Sequence, residues 1–161
     1  MSSFYYRYDF RTLSIDAVLT SAYLYFNKDK ELELLEKQTK KLIKSSFSQL
    51  TSISIDKALQ LYHEKNIFNL LINCCHLYID KLKNDDIMIL KKASRVDNKP
   101  IDYLGKGERN YFRHQYRLIQ GLGYTLAVRG FKTEMIIGLG NSLGGAKHIT
   151  FRKKGGKNAK K

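Results

Sequence analysis

The chain has 161 residues, 43% of them hydrophobic, which is enough for one main domain with a core and a possible extension. Its 29 Lys and Arg against 15 Asp and Glu give a net charge of +14 and a pI near 9.7, pointing to a polyanionic partner, either nucleic acid or an anionic surface. No run of about eighteen apolar residues argues for a transmembrane helix, and the N-terminus lacks the basic-then-apolar pattern of a secretory signal.

The charge is uneven. Residues 101–161 hold 13 Lys and Arg against 3 Asp and Glu, and residues 1–100 hold 16 against 12. The electrostatic footprint is therefore C-terminal. Lysine outnumbers arginine 21 to 8, and Ile, Asn, Tyr and Phe are common. These residues (arginine apart) have A/T-rich codons, which fits an organellar genome and equally a nuclear genome of that bias. MSSFYYRYDFRTLS is not a convincing import sequence, which leaves synthesis in the organelle and import both open for a mitochondrial protein.

In chain order, residues 1–13 are rich in aromatics: Phe4, Tyr5, Tyr6, Tyr8 and Phe10. With Arg7 and Arg11 they suit stacking on bases or burial against a partner, and equally an edge strand or an arm packed on the chain's own domain. Residues 14–27 suit a helix opened by Ser14, with Asp16 in its first turn. Residues 29–47 suit a surface helix with early acids, late lysines and favourable Glu33–Lys37 and Glu36–Lys40 spacings. Ser46 to Ser54 is a connector. Helices are expected over 55–64 and 66–83, the second being the core helix with Ile67, Leu70, Leu71, Cys74 and Tyr78 on one face.

Asn84-Asp85-Asp86 is read as a turn, and residues 87–94 as a strand or a short helix. Residues 95–100, which hold the only proline, are the best linker. From Arg109 a basic helix begins. Phe112, Tyr116, Ile119 and Leu126 fall near helical spacing, with Leu118 and Leu122 beside them. Arg109, Arg113 and Arg117 fall four apart and form one guanidinium stripe. Like charges at this spacing repel by a few tenths of a kcal/mol per pair, so an anionic partner is the natural reason to keep them. Gly121 and Gly123 each cost a helix about 1 kcal/mol relative to alanine, so a kink or an end is expected there. Thr133 to Ile137 is strand-like. Residues 131–138 are expected to pair with residues 148–153 as a β-hairpin whose loop spans Gly138 to Gly145. The last ten residues carry six Lys and Arg and no acid.

Chemistry-bearing motifs are few. Cys74-Cys75-His76 lacks the spacing and the second pair that zinc requires, so no metal is expected and the thiols read as buried and reduced. The glycines between Gly138 and Gly145 do not end in the Gly-Lys-Ser/Thr of a phosphate loop, nor do they fit a dinucleotide fingerprint. The four histidines are scattered. No catalytic residue, no cofactor and no enzyme activity are expected.

One resemblance gathers these residues. Arg109, Phe112-Arg113, sixteen residues ending at Arg129, Gly130-Phe131-Lys132, Glu134 and Leu143-Gly144-Gly145-Ala146 together resemble the C-terminal domain of the small-subunit ribosomal protein number three family. There are departures. Gly140-Asn141-Ser142 stands where the family has Ser-Gly-Arg, about four extra residues precede Leu143, and His114 replaces the usual arginine. The resemblance covers roughly the last fifty residues. Gly121-Leu122-Gly123-Tyr124, Ala127-Val128-Arg129-Gly130 and the lysine-rich ending are similar to large-subunit ribosomal protein number six, without about fifty intervening residues; this is the alternative.

The resemblance implies a mitochondrial small-subunit ribosomal protein. It would bind rRNA and line the path by which messenger RNA enters, with Arg113, His114 and Arg117 on that path. Neighbouring ribosomal proteins would be partners, among them a separate chain carrying the family's N-terminal domain, whose Gly-x-x-Gly loop is missing from residues 1–100. No membrane partner is expected. The RNA-binding set is Arg109, Arg113, His114, Arg117, Arg129, Lys132, Lys147, Arg152, Lys153, Lys154 and Lys157. The expected fold is α+β: a mainly helical extension over 1–95, a small α/β domain with a helix and a β-hairpin over 96–151, and a basic tail over 152–161. A free-standing basic RNA-binding module is the remaining reading.

Overall fold

The computed structural model describes residues 13–48, 52–97 and 99–143. Among the described residues there are six α-helices and no strand. The first, α1 (Ile15–Phe26), is the central strut. Ser14 caps it, its Oγ accepting the Ala17 N–H at 3.1 Å. Residues Ala17 through Ala22 are all buried, together with Leu24 and Tyr25. A helix buried on every side must have partners all round, and α1 packs against each of the other five. Its buried hydroxyls are satisfied locally. Thr20 donates to the Asp16 carbonyl at 2.7 Å, and Ser21 to that of Ala17 at 3.0 Å.

Helices α2 (Lys28–Ser48) and α3 (Ser52–Ile79) pack together. The Glu33–Lys37 pair forms at 3.6 Å with both side chains in water, where it contributes little. Glu36 reaches Lys65 on α3 at 3.3 Å. The expected break near residue 65 is absent. No glycine or proline interrupts the segment, so one helix of 28 residues forms. Its core face is rotated from the expected one. Phe68, Leu71, Cys74, Cys75 and Ile79 are buried, whereas Leu70 is 61% exposed.

The Asn84-Asp85-Asp86 turn is also corrected. It forms the start of α4 (Asn84–Ala93), with Asp85 and Asp86 in the first turn and Lys91 and Lys92 in the last, matching the helix dipole. Residues 87–94 are thus helical up to Ala93, not a strand. The stop is a Schellman closure. The N–H groups of Arg95 and Val96 bond back to the carbonyls of Lys92 and Lys91, with Arg95 at φ 63°. The main core cluster draws on both sides of residues 95–100. It joins Val18, Leu24, Phe68, Leu71 and Leu90 to Ile119, Leu122, Leu126, Ile136, Leu139 and Leu143.

Helix α5 (Glu108–Ala127) runs through Gly121 and Gly123 without ending. Its stop is again a Schellman closure. Gly130 and Phe131 N–H groups bond to the carbonyls of Ala127 and Leu126 at 3.0 and 3.2 Å, and Gly130 supplies φ 90°. The Gly130-Phe131 pair therefore has a local reason: glycine takes the left-handed turn and Phe131 buries behind it.

The expected α+β architecture is overturned at the next element. Thr133 to Ile137, expected as the first hairpin strand, is the beginning of α6 (Thr133–Ser142). The β-branched Thr133, Ile136 and Ile137 suggest a strand. The buried set Ile136, Leu139, Gly140 and Leu143 has the period of a helix. Residues 148–153, the expected second strand, lie outside the described residues. The start of α1 is tied to this helix, for the Ser14 N–H donates to Thr133 Oγ1 at 2.9 Å.

Gly138 tests the correction. It is helical and exposed, and a methyl group placed on its Cα would have no neighbouring atom within 4 Å. Gly138→Ala is expected to stabilise the protein by about 1 kcal/mol through helix propensity. A thermal melt that moves down instead would favour a glycine-dependent turn.

Candidate nucleic-acid interface

The N-terminal half of α5 carries the stripe. Arg109, Arg113 and Arg117 are all exposed on it. The helix is held below by Tyr111, Leu118, Ile119, Leu122 and Leu126, which are buried. Of the apolar residues at helical spacing, Phe112 and Tyr116 are thus not on the buried side, and Tyr111 takes their place. Tyr111 is 1% exposed, whereas Phe112 and Tyr116 are 39% and 44% exposed. One residue is about 100° of helix rotation, and that rotation brings both rings to the same side as the arginines.

A groove of about 440 Å³ lies at this end, lined by Gly105, Lys106, Gly107, Asn110, Arg113, His114 and Arg117. Two features favour an anion there. Three cationic side chains converge on it. The first turn of α5 has Gly107 as its cap, with no side chain occupying the leading N–H groups. Glu108 in the same turn opposes this in part.

His114 lines this groove and also makes a contact between helices. Its Nε2 meets Asp86 Oδ1 at 2.7 Å, and both side chains are largely covered. The contact joins α5 to α4 and fixes how the stripe is presented. The remaining candidates are not gathered at this site. Arg129 and Lys132 are exposed just past the far end of α5, and its last residue, Ala127, is roughly 21 Å from Arg113 along the axis at 1.5 Å per residue. The Arg129 Nη1 donates to the Thr125 carbonyl at 3.1 Å, closing the end of its own helix. Lys147, Arg152, Lys153, Lys154 and Lys157 lie outside the described residues.

Arg129 also borders a second, apolar groove of about 380 Å³ between α3 and the α5–α6 turn, lined mainly by Ile67, Leu70, Leu77, Phe131 and Met135. Spacing does not find it because its two walls are some sixty residues apart in sequence.

The cysteines face different helices. Cys74 Sγ points to the Thr125 carbonyl and Cys75 Sγ to that of Ser21. Burial pushes both thiols up, which keeps them protonated and unreactive. His76 accepts or donates one hydrogen bond with the Tyr25 hydroxyl at 3.1 Å and lies 3.9 Å from Asp80. Among the described residues no three His, Cys, Asp or Glu side chains converge as a metal site, and no helix is long and apolar enough to cross a membrane. Comparison with known proteins finds no family model, no curated protein and no solved structure that matches this chain.

Proposed function

We propose that the protein binds RNA through the exposed side of α5, as a structural constituent of a mitochondrial small ribosomal subunit. The observation that carries RNA binding is the solvent-facing Arg109, Arg113 and Arg117 stripe beside a groove lined by Lys106. The guanidinium groups hold phosphates without reading sequence, and the C-terminal charge excess adds attraction at longer range. The ribosomal setting rests on the motif residues Arg109, Phe112-Arg113, Arg129 to Lys132 and Leu143 to Ala146. It does not rest on the fold, because α6 stands where the residue pattern reads as a strand.

Two measurements test the proposal. In a sucrose-gradient fractionation of organelle lysate, the chain is expected with the small subunit. Sedimentation with the large subunit would move it to the number-six alternative, and absence from both would remove the ribosomal setting. In binding assays with single-stranded RNA, Arg113→Ala combined with Arg117→Ala is expected to lower the salt slope by about 1.4, at roughly 0.7 per phosphate contact. Both residues are exposed, so the melting temperature should hold. An unchanged slope with a large fall in melting temperature would make the stripe structural.

A further inference from the structure

We infer that the α5 face selects unpaired RNA, with bases stacking on Phe112 and Tyr116 while Arg109, Arg113 and Arg117 hold the phosphates. This deepens the RNA-binding reading above and rests on it.

Arg109, Phe112, Arg113, Tyr116 and Arg117 recur at intervals of three and four, so they share one side of the helix. All five are exposed. Interleaved rings and guanidinium groups are what a single-strand platform requires: a π-face for each base and a cation for each phosphate. An arginine stripe alone would serve any polyanion. The rings add a preference, because a base can stack on a side chain only when its own face is uncovered.

Spacing points the same way. Phe112 and Tyr116 are four residues apart, about 6 Å along the helix axis. Neighbouring bases in a stacked strand rise about 3.4 Å. Two successive bases reach both rings only if they have separated from each other, as an unpaired strand allows and a duplex does not.

Phe112 is also held in position. Its ring meets Tyr111 edge-on at 5.1 Å and 88°, and Tyr103 at 6.2 Å and 78°. Tyr111 is buried and Tyr103 packs on the same small cluster. The ring is therefore presented on a supported base, which lowers the ordering cost of binding. His114, tied to Asp86 at 2.7 Å, keeps this part of α5 seated on α4.

The test uses the full chain and two labelled RNAs of equal length, one unstructured single strand and one duplex, with fluorescence anisotropy at fixed salt. Phe112→Ala and Tyr116→Ala are each expected to weaken single-strand binding about tenfold, in the range found for one lost base–aromatic stack. Duplex binding and the salt slope of either RNA should stay the same, since no phosphate contact is removed. Phe112→Tyr should retain single-strand affinity. Far-UV circular dichroism and a melt check each variant. Phe112→Ala also loses its contacts to Tyr103 and Tyr111, so Tyr116→Ala and the conservative Tyr116→Phe are measured beside it.

Equal losses on both RNAs, or no loss on the single strand, overturn the stacking inference and leave the phosphate stripe intact. Failure of the unaltered chain to bind either RNA overturns the RNA reading itself, and with it this inference.

Discussion

A chain stopped at Arg95 is expected to lose cooperative unfolding. The charge balance and the proline-containing stretch suggest that residues 1–95 form a unit, but the buried side chains are shared. Truncation removes Ile119, Leu122, Leu126, Phe131, Ile136, Leu139 and Leu143 from the main core cluster. Burying such side chains contributes about 1.5–3 kcal/mol each, so the loss is comparable with the roughly 5–15 kcal/mol that holds a typical domain together. Helix α1 suffers most. It loses both α5 and α6 as packing partners, and the Ser14 N–H loses Thr133 Oγ1. The measurement is a thermal melt followed by circular dichroism, with dye binding to report exposed apolar surface. A broad, non-sigmoidal trace with strong dye binding is expected. A sharp transition without dye binding would establish residues 1–95 as a separate folding unit.

The parts of this molecule that are legible from sequence are those fixed by nearby residues. Ser14 with Asp16 announces α1, and the run of early acids and late lysines announces α2. The guanidinium stripe follows from spacing alone. Elements whose local signals conflict read wrongly. In α6, Thr133, Ile136, Ile137 and two glycines argue for a strand and a loop, while burial of Ile136, Leu139 and Leu143 against the rest of the core selects the helix. Tertiary packing overrides propensity in short apolar segments. The buried side of α5 is not legible from spacing for a related reason. Tyr111, Phe112 and Tyr116 are all plausible core residues, and only the cluster with Ile89, Tyr103 and Leu118 decides that Tyr111 is the buried one. Contacts such as His114 with Asp86, 28 residues apart, and Tyr25 with His76, 51 apart, carry no local signature at all.

Gly121→Leu is expected to lower the melting temperature by roughly 4–8 °C, from about 2 kcal/mol of overpacking in a protein of this size. By propensity alone Gly121 weakens α5 by about 1 kcal/mol, which is why the sequence suggests a helix end there. The helix continues because the glycine lets α3 come close. A Cβ at position 121 would overlap the ring and hydroxyl of Tyr78. Gly121→Ala brings two opposing effects, a better helix former and a methyl group that the flexible end of Tyr78 must avoid, so a near-neutral melt is expected. Leucine adds volume that Tyr78 cannot avoid by shifting its end. Combining Gly121→Leu with Tyr78→Ala isolates the contact. The pair should recover most of the loss caused by leucine, leaving a clear coupling between the two positions. If Tyr78→Ala restores nothing, the glycine is not needed for close approach of α3 and α5. The same comparison separates support from binding. Gly121 faces the core, about two turns from Arg113, so below its melting point Gly121→Leu should bind single-stranded RNA with the salt slope of the unaltered chain. A lowered slope would mean that the α3–α5 contact also sets the angle at which the stripe meets phosphate.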